Sequence, residues 1–334
     1  MPKKRPARPA AQTQPDNPLL QPWKGPHGGV PPFGQVRIKD FEPAFEWAME
    51  DALAKLQRIG RMRKPATFEN TIAAMERAFD PLMRVRAVYG VWSGAKQTPG
   101  FQKVQRRLAP KLAAFSDKIT QNAPLFRRIE AVYQARTQSG LTAEQKRLTW
   151  KTYRDFVRAG AKLDGKAKRR MAAINKELAG LYTKFGQNVL KDEQERFLVL
   201  STKADLAGLP ANLVASAKAE AKSRKMPRKW VIRNTRSSVA PFLTYSTRRD
   251  LREKAWRMFV DRGDLGGATD NNAVITKILA LRAERAKLLG YATHAHWRLE
   301  NTMAKTPKRV LELLQKVWKP AVARVRQEVR AMQA

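Results

Sequence analysis

The sequence predicts an all-α, mainly helical fold with a small β-hairpin or sheet insert near residues 196–245. Apolar residues recur at three- and four-residue steps through most of the chain from residue 41 onward, which is typical of amphipathic helices. This period breaks once, within residues 196–245, where short β-prone runs occur. Residues 1–40 are rich in proline and glycine and cannot continue a helical pattern.

The first 40 residues are predicted to form two segments. Residues 1–16 carry lysine, arginine and proline and no apolar periodicity, so we predict a disordered basic arm. Residues 17–40 are predicted to be an extended Pro/Gly segment that lies across the fold. Trp23 and Phe33 are the aromatic residues of this segment, and we expect both to anchor it.

Residues 41–195 are predicted to be an N-terminal helical domain. Its first helix is expected at residues 41–60 and ends at a glycine. Thr67 is the predicted N-cap of the second helix, and Thr142 with Gln145 has the form of a capping box. The other helices are expected at residues 67–89, 100–121, 124–136, 142–160 and 164–191.

The insert at residues 196–245 is predicted from three short runs of β-branched, leucine and aromatic residues. These runs are residues 197–200 (FLVL), 230–232 (WVI) and 242–245 (FLTY). A helix at residues 211–224 is expected between the first two runs.

Residues 246–334 are predicted to be helical again. Thr306 precedes Pro307, which is the arrangement of an N-cap followed by proline at the first helical position. The helices are expected at residues 246–262, 270–289, 292–300 and 307–334.

The last of these helices has a broad apolar stripe and no Gly, Asn or Pro stop signal. A stripe this wide is expected to have a partner, although a frayed C-terminal helix would have the same pattern. The stripe comprises Val310, Leu313, Leu314, Val317, Ala321, Val322, Val325 and Val329.

The chain is strongly basic, with 66 Lys and Arg against 29 Asp and Glu and a net charge of +37. Such a surface favours non-specific binding of nucleic acid or another polyanion. The sequence has no helix-turn-helix, ribonucleoprotein or zinc-finger signature that would read a base sequence. Residues 166–170 (KAKRR) interrupt an amphipathic helix pattern, and we interpret them as a solvated helix face in preference to a nucleic-acid footprint.

Residue types that support catalysis or metal binding are scarce. The chain has no cysteine and three histidines, His27, His294 and His296. On a helix, side chains two residues apart point about 200° away from each other, so His294 and His296 would not chelate one ion. We expect them to be partly buried and hydrogen-bonded.

Two carboxylate pairs, Glu42 with Glu46 and Glu193 with Glu195, are interpreted as solvated faces and not as acid/base couples. The sequence has no phosphate-binding loop, no dinucleotide fingerprint, no nucleophile elbow and no H-E-x-x-H. From the residues alone we predict no catalytic, cofactor-binding or metal-binding residues.

Membrane association is not predicted, because no window approaches 18 consecutive apolar residues. The N-terminal residues are basic and are not followed by an apolar stretch of the kind found in export signals. The expected compartment is therefore the cytoplasm.

Seven stretches in the same order along residues 17–334 resemble the thimet oligopeptidase and peptidyl-dipeptidase family of zinc metallopeptidases, the bacterial peptidyl-dipeptidase (dipeptidyl carboxypeptidase) branch most of all. They are residues 17–20 (NPLL), 39–45 (KDFEPAF), 65–72 (PATFENTI), 108–112 (LAPKL), 156–161 (FVRAGA), 248–254 (RRDLREK) and 282–291 (RAERAKLLGY).

The resemblance implies a helical clamshell whose N-terminal portion forms one wall of a channel for short peptides. It also implies one zinc ion in the full-length enzyme, held by an H-E-x-x-H helix and a further glutamate in the C-terminal half. The present sequence lacks that motif. We therefore expect an N-terminal or truncated part that is inactive alone, contacts peptides weakly, and continues from residues 246–334 toward a missing catalytic half. Some relatives are exported to the periplasm, and a charge of +37 is atypical of the family.

Two alternatives stay open. The chain could be a basic helical module that binds nucleic acid or other polyanions, with the peptidase ancestry incidental. It could also be one half of a split peptidase, in which a separate C-terminal chain docks on the stripe of the last helix.

Overall fold

A computed structural model describes residues 14–26 and 28–334 of the protein. Over these residues it contains thirteen α-helices and one two-stranded antiparallel sheet. The predicted mainly helical fold with a small sheet is confirmed. Most of the predicted basic arm, and His27, lie outside the described residues.

The elements follow one another with short connections. They are α1 (Ile38–Gly60), α2 (Ala74–Ala78), α3 (Asp80–Ala95), α4 (Pro99–Thr120), α5 (Ala123–Ala135), α6 (Ala143–Arg158), α7 (Gly165–Glu195), β1 (Phe197–Leu200), α8 (Ala211–Ser223), β2 (Trp230–Arg233), α9 (Arg236–Tyr245), α10 (Arg249–Val260), α11 (Asn272–Leu288), α12 (His294–Leu299) and α13 (Pro307–Gln333).

The chain divides into two compact units. The first comprises Met1–Glu177 together with Leu281–Ala334, and the second comprises Leu178–Ala280. The domain limits predicted at residues 40, 195 and 245 stay predictions.

The predicted helix caps are confirmed where the structure describes them. The backbone N–H of Asn70 donates to the Thr67 hydroxyl at 3.2 Å. Thr142 and Gln145 form the reciprocal bonds of a capping box at 3.0 and 3.2 Å. Each of these bonds satisfies a donor that a helix N-terminus would otherwise leave unpaired.

The first unit has an aromatic core centred on Phe41, which is fully buried in α1. Its ring makes edge-to-face contacts with Tyr89, Trp92 and Phe101, at centroid distances of 5.9, 5.2 and 5.3 Å. Edge-to-face pairs add stabilisation beyond the area they bury. These contacts join α1, α3 and α4 in one cluster.

The extended segment before α1 is anchored mainly by leucines. Leu19 and Leu20 are 1% and 0% exposed and belong to the cluster around Phe41. Trp23 packs against the same cluster, as predicted. Phe33 is 42% exposed, so its predicted role as an anchor is wrong. The sequence pattern of this segment is dominated by proline and glycine, so it did not indicate that Leu19 and Leu20 would be buried.

A second cluster of the first unit holds α1, α5 and α6 together. Leu56, Leu125 and Ile129 are almost completely buried in it. Tyr133 and Tyr153 stack beside it at a centroid distance of 4.0 Å. The predicted helices at residues 124–136 and 142–160 are therefore confirmed.

The helix predicted at residues 67–89 is interrupted. A wide helical turn at Phe68–Ala73 leads into α2, and α3 begins at Asp80. Pro81 lies in the first turn of α3 and has no backbone N–H with which to continue the preceding ladder. Phe79 bonds to the carbonyl of Glu76 at 3.1 Å and separates the two helices. The apolar pattern is continuous through residues 67–89, so it did not indicate that one helix ends at Ala78 and another begins at Asp80.

The sheet of the second unit pairs β1 with β2 in antiparallel register, Phe197 opposite Arg233 and Leu200 opposite Trp230. Two of the three predicted β runs are therefore confirmed. The third, at residues 242–245, is wrong because these residues end α9. Phe242 and Val239 are three residues apart and both buried in the core of this unit, so tertiary packing on a helical face overrides the β propensity of the run.

No helix among the described residues is long and apolar enough to cross a membrane.

Replacing Phe41 with Ala should lower the free energy of unfolding by about 3–5 kcal/mol, because it leaves a cavity among three aromatic rings. Phe33→Ala is the control and should change stability by about 0.5 kcal/mol or less, since Phe33 is half exposed. Urea unfolding followed by circular dichroism measures both changes. Equal effects of the two substitutions would contradict this description of the core.

Candidate interaction surface on α13

The last helix begins as the sequence predicts. The Thr306 hydroxyl accepts a hydrogen bond from the N–H of Arg309 at 3.4 Å, and Pro307 occupies the first turn. The 27 residues of α13 extend about 40 Å at the rise of an α-helix. This length would span a small domain.

No residue of α13 is buried. Eight apolar side chains that lie mostly on one side of the helix are from 41% to 78% exposed, and one of them, Trp318, is 71% exposed. A contiguous exposed apolar face of this length marks an interaction site more often than a free surface. The eight residues, which we call the α13 face, are Leu311, Leu313, Leu314, Val317, Trp318, Val325, Val329 and Met332.

Helix α13 is also basic. Along its whole length it carries seven Lys and Arg residues and two glutamates. Glu312 lies 3.9 Å from Lys308, and Glu328 lies 3.0 Å from Arg324, so both carboxylates face a base of the same helix. The α13 face is therefore an apolar stripe on a positively charged helix.

A partly buried ionic cluster fixes the segment that leads into α13. Glu300, directly after α12, accepts hydrogen bonds from Arg154 and Arg158 of α6 and from the Tyr291 hydroxyl. The Arg158 side chain is only 8% exposed. Arg158 also donates to the backbone carbonyl of Trp297, and the Trp297 indole N–H donates to the carbonyl of Arg158 at 3.1 Å. These bonds attach α12 to α6.

The charges of this cluster shift the pKa values of its members. Burial works against ionisation of Glu300, but the hydrogen bond from Tyr291 and the charges of Arg154 and Arg158 lower its pKa overall. Burial and the neighbouring Glu300 carboxylate raise the pKa of Tyr291. At neutral pH the cluster therefore holds an ionised carboxylate between two arginines and a neutral phenol.

The two described histidines lie on α12 and have different surroundings. His294 lies 5.4 Å from the Trp297 ring, and its pKa is lowered by burial and by the charges of Arg282, Arg285 and Arg298. Its Nδ1 is buried without a hydrogen-bond partner. His296 Nδ1 lies 2.8 Å from the Thr293 hydroxyl that caps the helix.

No group of three or more His, Cys, Asp or Glu residues poised to hold a metal occurs in the described part of the chain. The described residues therefore do not fit the zinc ion that the resemblance implies for the full-length family enzyme.

The carboxylate pairs singled out in the sequence bind basic side chains. Glu42 and Glu46 both contact Lys111, and Glu42 also binds Arg107 at 2.8 Å. The hydrogen bond from Lys111 is the main reason why the pKa of Glu42 is lowered, although burial opposes it. Glu42 therefore stays ionised, which does not suit a general acid.

The second pair also contacts basic side chains. Glu193 binds Arg262, and Glu195 lies 3.8 Å from Lys191 on the same helix.

The basic run at residues 166–170 lies at the start of α7. Lys166 and Arg169 are exposed, and Arg170 makes two bonds to the carboxylate of Glu284, at 2.5 and 2.6 Å. Met171 and Ile174 are buried on the other side of the helix. This arrangement agrees with a solvated helix face.

The sequence did not single out Glu300 or its arginines. Arg154 and Arg158 are four residues apart on α6, a spacing that can hold one carboxylate between two bases. The carboxylate itself is 142 residues from Arg158, so the helical pattern of α6 could not identify it.

Two family profiles match the chain. The N-terminal domain of neurolysin and thimet oligopeptidase matches residues 46–168, and peptidase family M3 matches residues 242–334. Both matches agree with the resemblance to the thimet oligopeptidase and peptidyl-dipeptidase family. The two matches lie in the order expected from the resemblance, and the second includes all of α13 and the Glu300 segment before it.

Curated relatives of this chain include bacterial, plant and yeast peptidases. Dipeptidyl carboxypeptidase of Escherichia coli K12 is 31% identical over 305 residues, which are 91% of this chain and 45% of the relative. Oligopeptidase A of the same organism is 27% identical over 322 residues, 95% of this chain and 46% of the relative. Organellar oligopeptidase A of Arabidopsis thaliana is 27% identical over 321 residues. The chain spans about half the length of these relatives.

Replacing Glu300 with Gln should lower the free energy of unfolding at pH 7 by about 1.5–3 kcal/mol, as expected for hydrogen bonds to a charged group. The pKa of Glu300 is below its ordinary 4.5 in the folded chain. Its stabilisation is therefore complete above about pH 4.5 and is lost as the pH falls through the folded pKa. Urea unfolding at steps from pH 7 to pH 3 should show the difference between the two proteins shrinking.

Glu69→Gln is the matched control, because Glu69 pairs with Arg77 on the surface, where the two side chains are 70% and 60% exposed. That change should cost about 0.5 kcal/mol or less. A pH-independent difference between wild type and E300Q would mean that the carboxylate charge does not hold the segment.

Proposed function

We propose that this chain supplies the channel-wall portion of a zinc-dependent M3 peptidase that releases dipeptides or cleaves short peptides. The observation that carries the proposal is the 31% identity to dipeptidyl carboxypeptidase over 305 residues. Because that relative is a dipeptidyl carboxypeptidase, we choose peptidyl-dipeptidase activity over general protease activity. A cytoplasmic site of action stays a prediction of the sequence.

The hydrolytic centre is proposed to lie in polypeptide beyond the sequence described here. The printed sequence has no H-E-x-x-H motif, and the described residues offer no metal ligand set. The zinc ion of the complete enzyme would supply a water activated for attack on the peptide carbonyl. The role left for this chain is to restrict which peptides enter and to contact them weakly.

The α13 face is proposed to pack against that catalytic part. Its exposed leucines, valines and tryptophan fit an apolar surface, and the relatives are about twice as long as this chain. A continuing polypeptide or a separately made chain would cover the face equally well. A split peptidase therefore remains the second form of the same proposal.

The chain alone, supplied with zinc, should not release dipeptides from a blocked tetrapeptide, because it lacks the ligands for the ion. The assay is liquid chromatography of the products after overnight incubation. Zinc-dependent release of a dipeptide by the purified chain would overturn the proposal.

A chimera should restore activity. This chain would replace the aligned segment of the Escherichia coli dipeptidyl carboxypeptidase, so that the α13 face meets that enzyme's remaining part. Dipeptide release should appear with zinc, and Leu314→Asp with Trp318→Asp should reduce it at least about tenfold, since two charges would be buried in an apolar contact.

The matched control for the chimera is Met83→Asp with Val91→Asp. These residues are 57% and 51% exposed on α3, so the pair makes the same change of charge on a face with no proposed partner. Equal loss from both pairs, in chimeras that fold, would contradict the packing of the α13 face.

A further inference from the structure

The turn between α8 and β2 concentrates positive charge more than the chain as a whole. Residues 211–233 contain seven Lys and Arg residues and one acidic residue, Glu220, a net charge of 7 − 1 = +6. This is about one net charge per four residues, against about one per nine in the whole chain, whose 334 residues carry +37. Such local density is the electrostatic footprint of a polyanion-binding surface.

Four bases of this turn have no acidic partner among the described residues. Glu220 is the local acid, and it is already shared by Arg224 at 2.7 Å and Arg233 at 3.8 Å. The four bases, which we call the basic turn, are Lys222, Lys225, Arg228 and Lys229.

The basic turn is ordered by its backbone. The N–H of Lys225 donates to the carbonyl of Lys222 at 3.0 Å, and the N–H of Met226 donates to the carbonyl of Ala221 at 2.8 Å. These two bonds are the Schellman ending of a helix. Its position with positive φ is usually Gly, but here it is Lys225 with φ 61°. A lysine therefore occupies a left-handed conformation that costs free energy to a residue with a Cβ.

The frame behind the turn is rigid. Ala221 of α8 and Ile232 of β2 are completely buried, and Val231 is 1% exposed. Lys218 lies 4.6 Å from the Trp230 ring, and Arg224 lies 4.3 Å from the Phe197 ring. The flanking bases are thus held on aromatic faces, and the four bases of the turn project from a fixed frame.

We propose that the basic turn binds the phosphodiester backbone of nucleic acid. Backbone binding needs several positive charges in a fixed arrangement and no reading element, which is what the turn provides. A membrane surface fits less well, because Met226 is the only large apolar side chain within the turn and is partly buried, whereas membrane-binding segments insert exposed apolar residues. This activity is independent of the proposed peptidase function.

The test measures binding of the full chain to a 20-base-pair DNA duplex and to a 20-nucleotide RNA by fluorescence anisotropy, over a range of salt concentrations. Replacing the four bases of the basic turn by Gln lowers the net charge from +37 to +33. We expect the slope of log affinity against log salt to fall by about 3–4, at about 0.7–0.9 per phosphate contact, with at least about tenfold weaker binding at 0.1 M salt.

The control quadruple variant is Arg63→Gln, Lys64→Gln, Lys103→Gln and Lys176→Gln. These four bases are exposed, as are three of the four bases of the basic turn, and their replacement also gives a net charge of +33. Affinity should stay within about twofold of wild type. An equal loss in both quadruple variants would overturn the proposal, because net charge alone would then account for binding.

Lys225→Gly separates binding from folding. Gly is the residue that this backbone position favours, so the thermal unfolding midpoint should be unchanged or higher. The salt slope should nevertheless fall by about 0.9, the contribution of one phosphate contact. Unchanged binding by K225G would overturn the proposal. Stronger turn-dependent binding to phosphatidylserine vesicles than to either nucleic acid would also overturn it.

Discussion

No described residues bury the α13 face. This exposed apolar surface is the main physical constraint on the function of the chain. Full burial of a large apolar side chain contributes about 1.5–3 kcal/mol, so covering the eight residues of the α13 face would contribute on the order of 10 kcal/mol. That is comparable to the whole stability of a typical domain. A helix with this pattern gains its stability mainly from what it packs against, and the family relationship indicates a candidate for that surface.

Two features of the chain affect α13 while its face is exposed: one fixes its start, and the other opposes its pairing with a second copy. The cluster of Glu300 with Arg154 and Arg158 fixes the segment before the helix to α6, so α13 starts from a defined point. The positive charge of the helix and of the whole chain then opposes the pairing of two copies, since each copy carries +37 overall. A partner with an acidic margin would be attracted instead. The net charge of +37 is atypical of the family. It nevertheless agrees with an apolar helix that docks on a partner and does not pair with a second copy.

Local signals in the sequence predicted most of the helices and their caps. Thr67, Thr142 and Thr306 each act within three residues of their partners, so the sequence alone contains the interaction. The prediction of a strand at Phe242 was wrong because its helical conformation depends on packing against residues that are distant in the sequence. The local run of residues 242–245 contains no sign of these contacts. The Glu300 cluster depends on contacts across more than 140 residues, which no periodicity reveals. The sequence alone shows that the H-E-x-x-H motif is absent. The exposure of the α13 face depends on how the helix packs in the fold, so the sequence could not show it.

Hydrogen exchange of α13 tests the central claim most directly. The amides of α13 would be followed by mass spectrometry in this chain alone and in the chimera with the Escherichia coli dipeptidyl carboxypeptidase, with the buried helix α1 as the internal reference. The account predicts fast exchange in the chain alone and at least about hundredfold slower exchange in the chimera, because local opening is limited by buried apolar contacts. Equal exchange of α13 in the two proteins, while α1 stays protected in both, would contradict it.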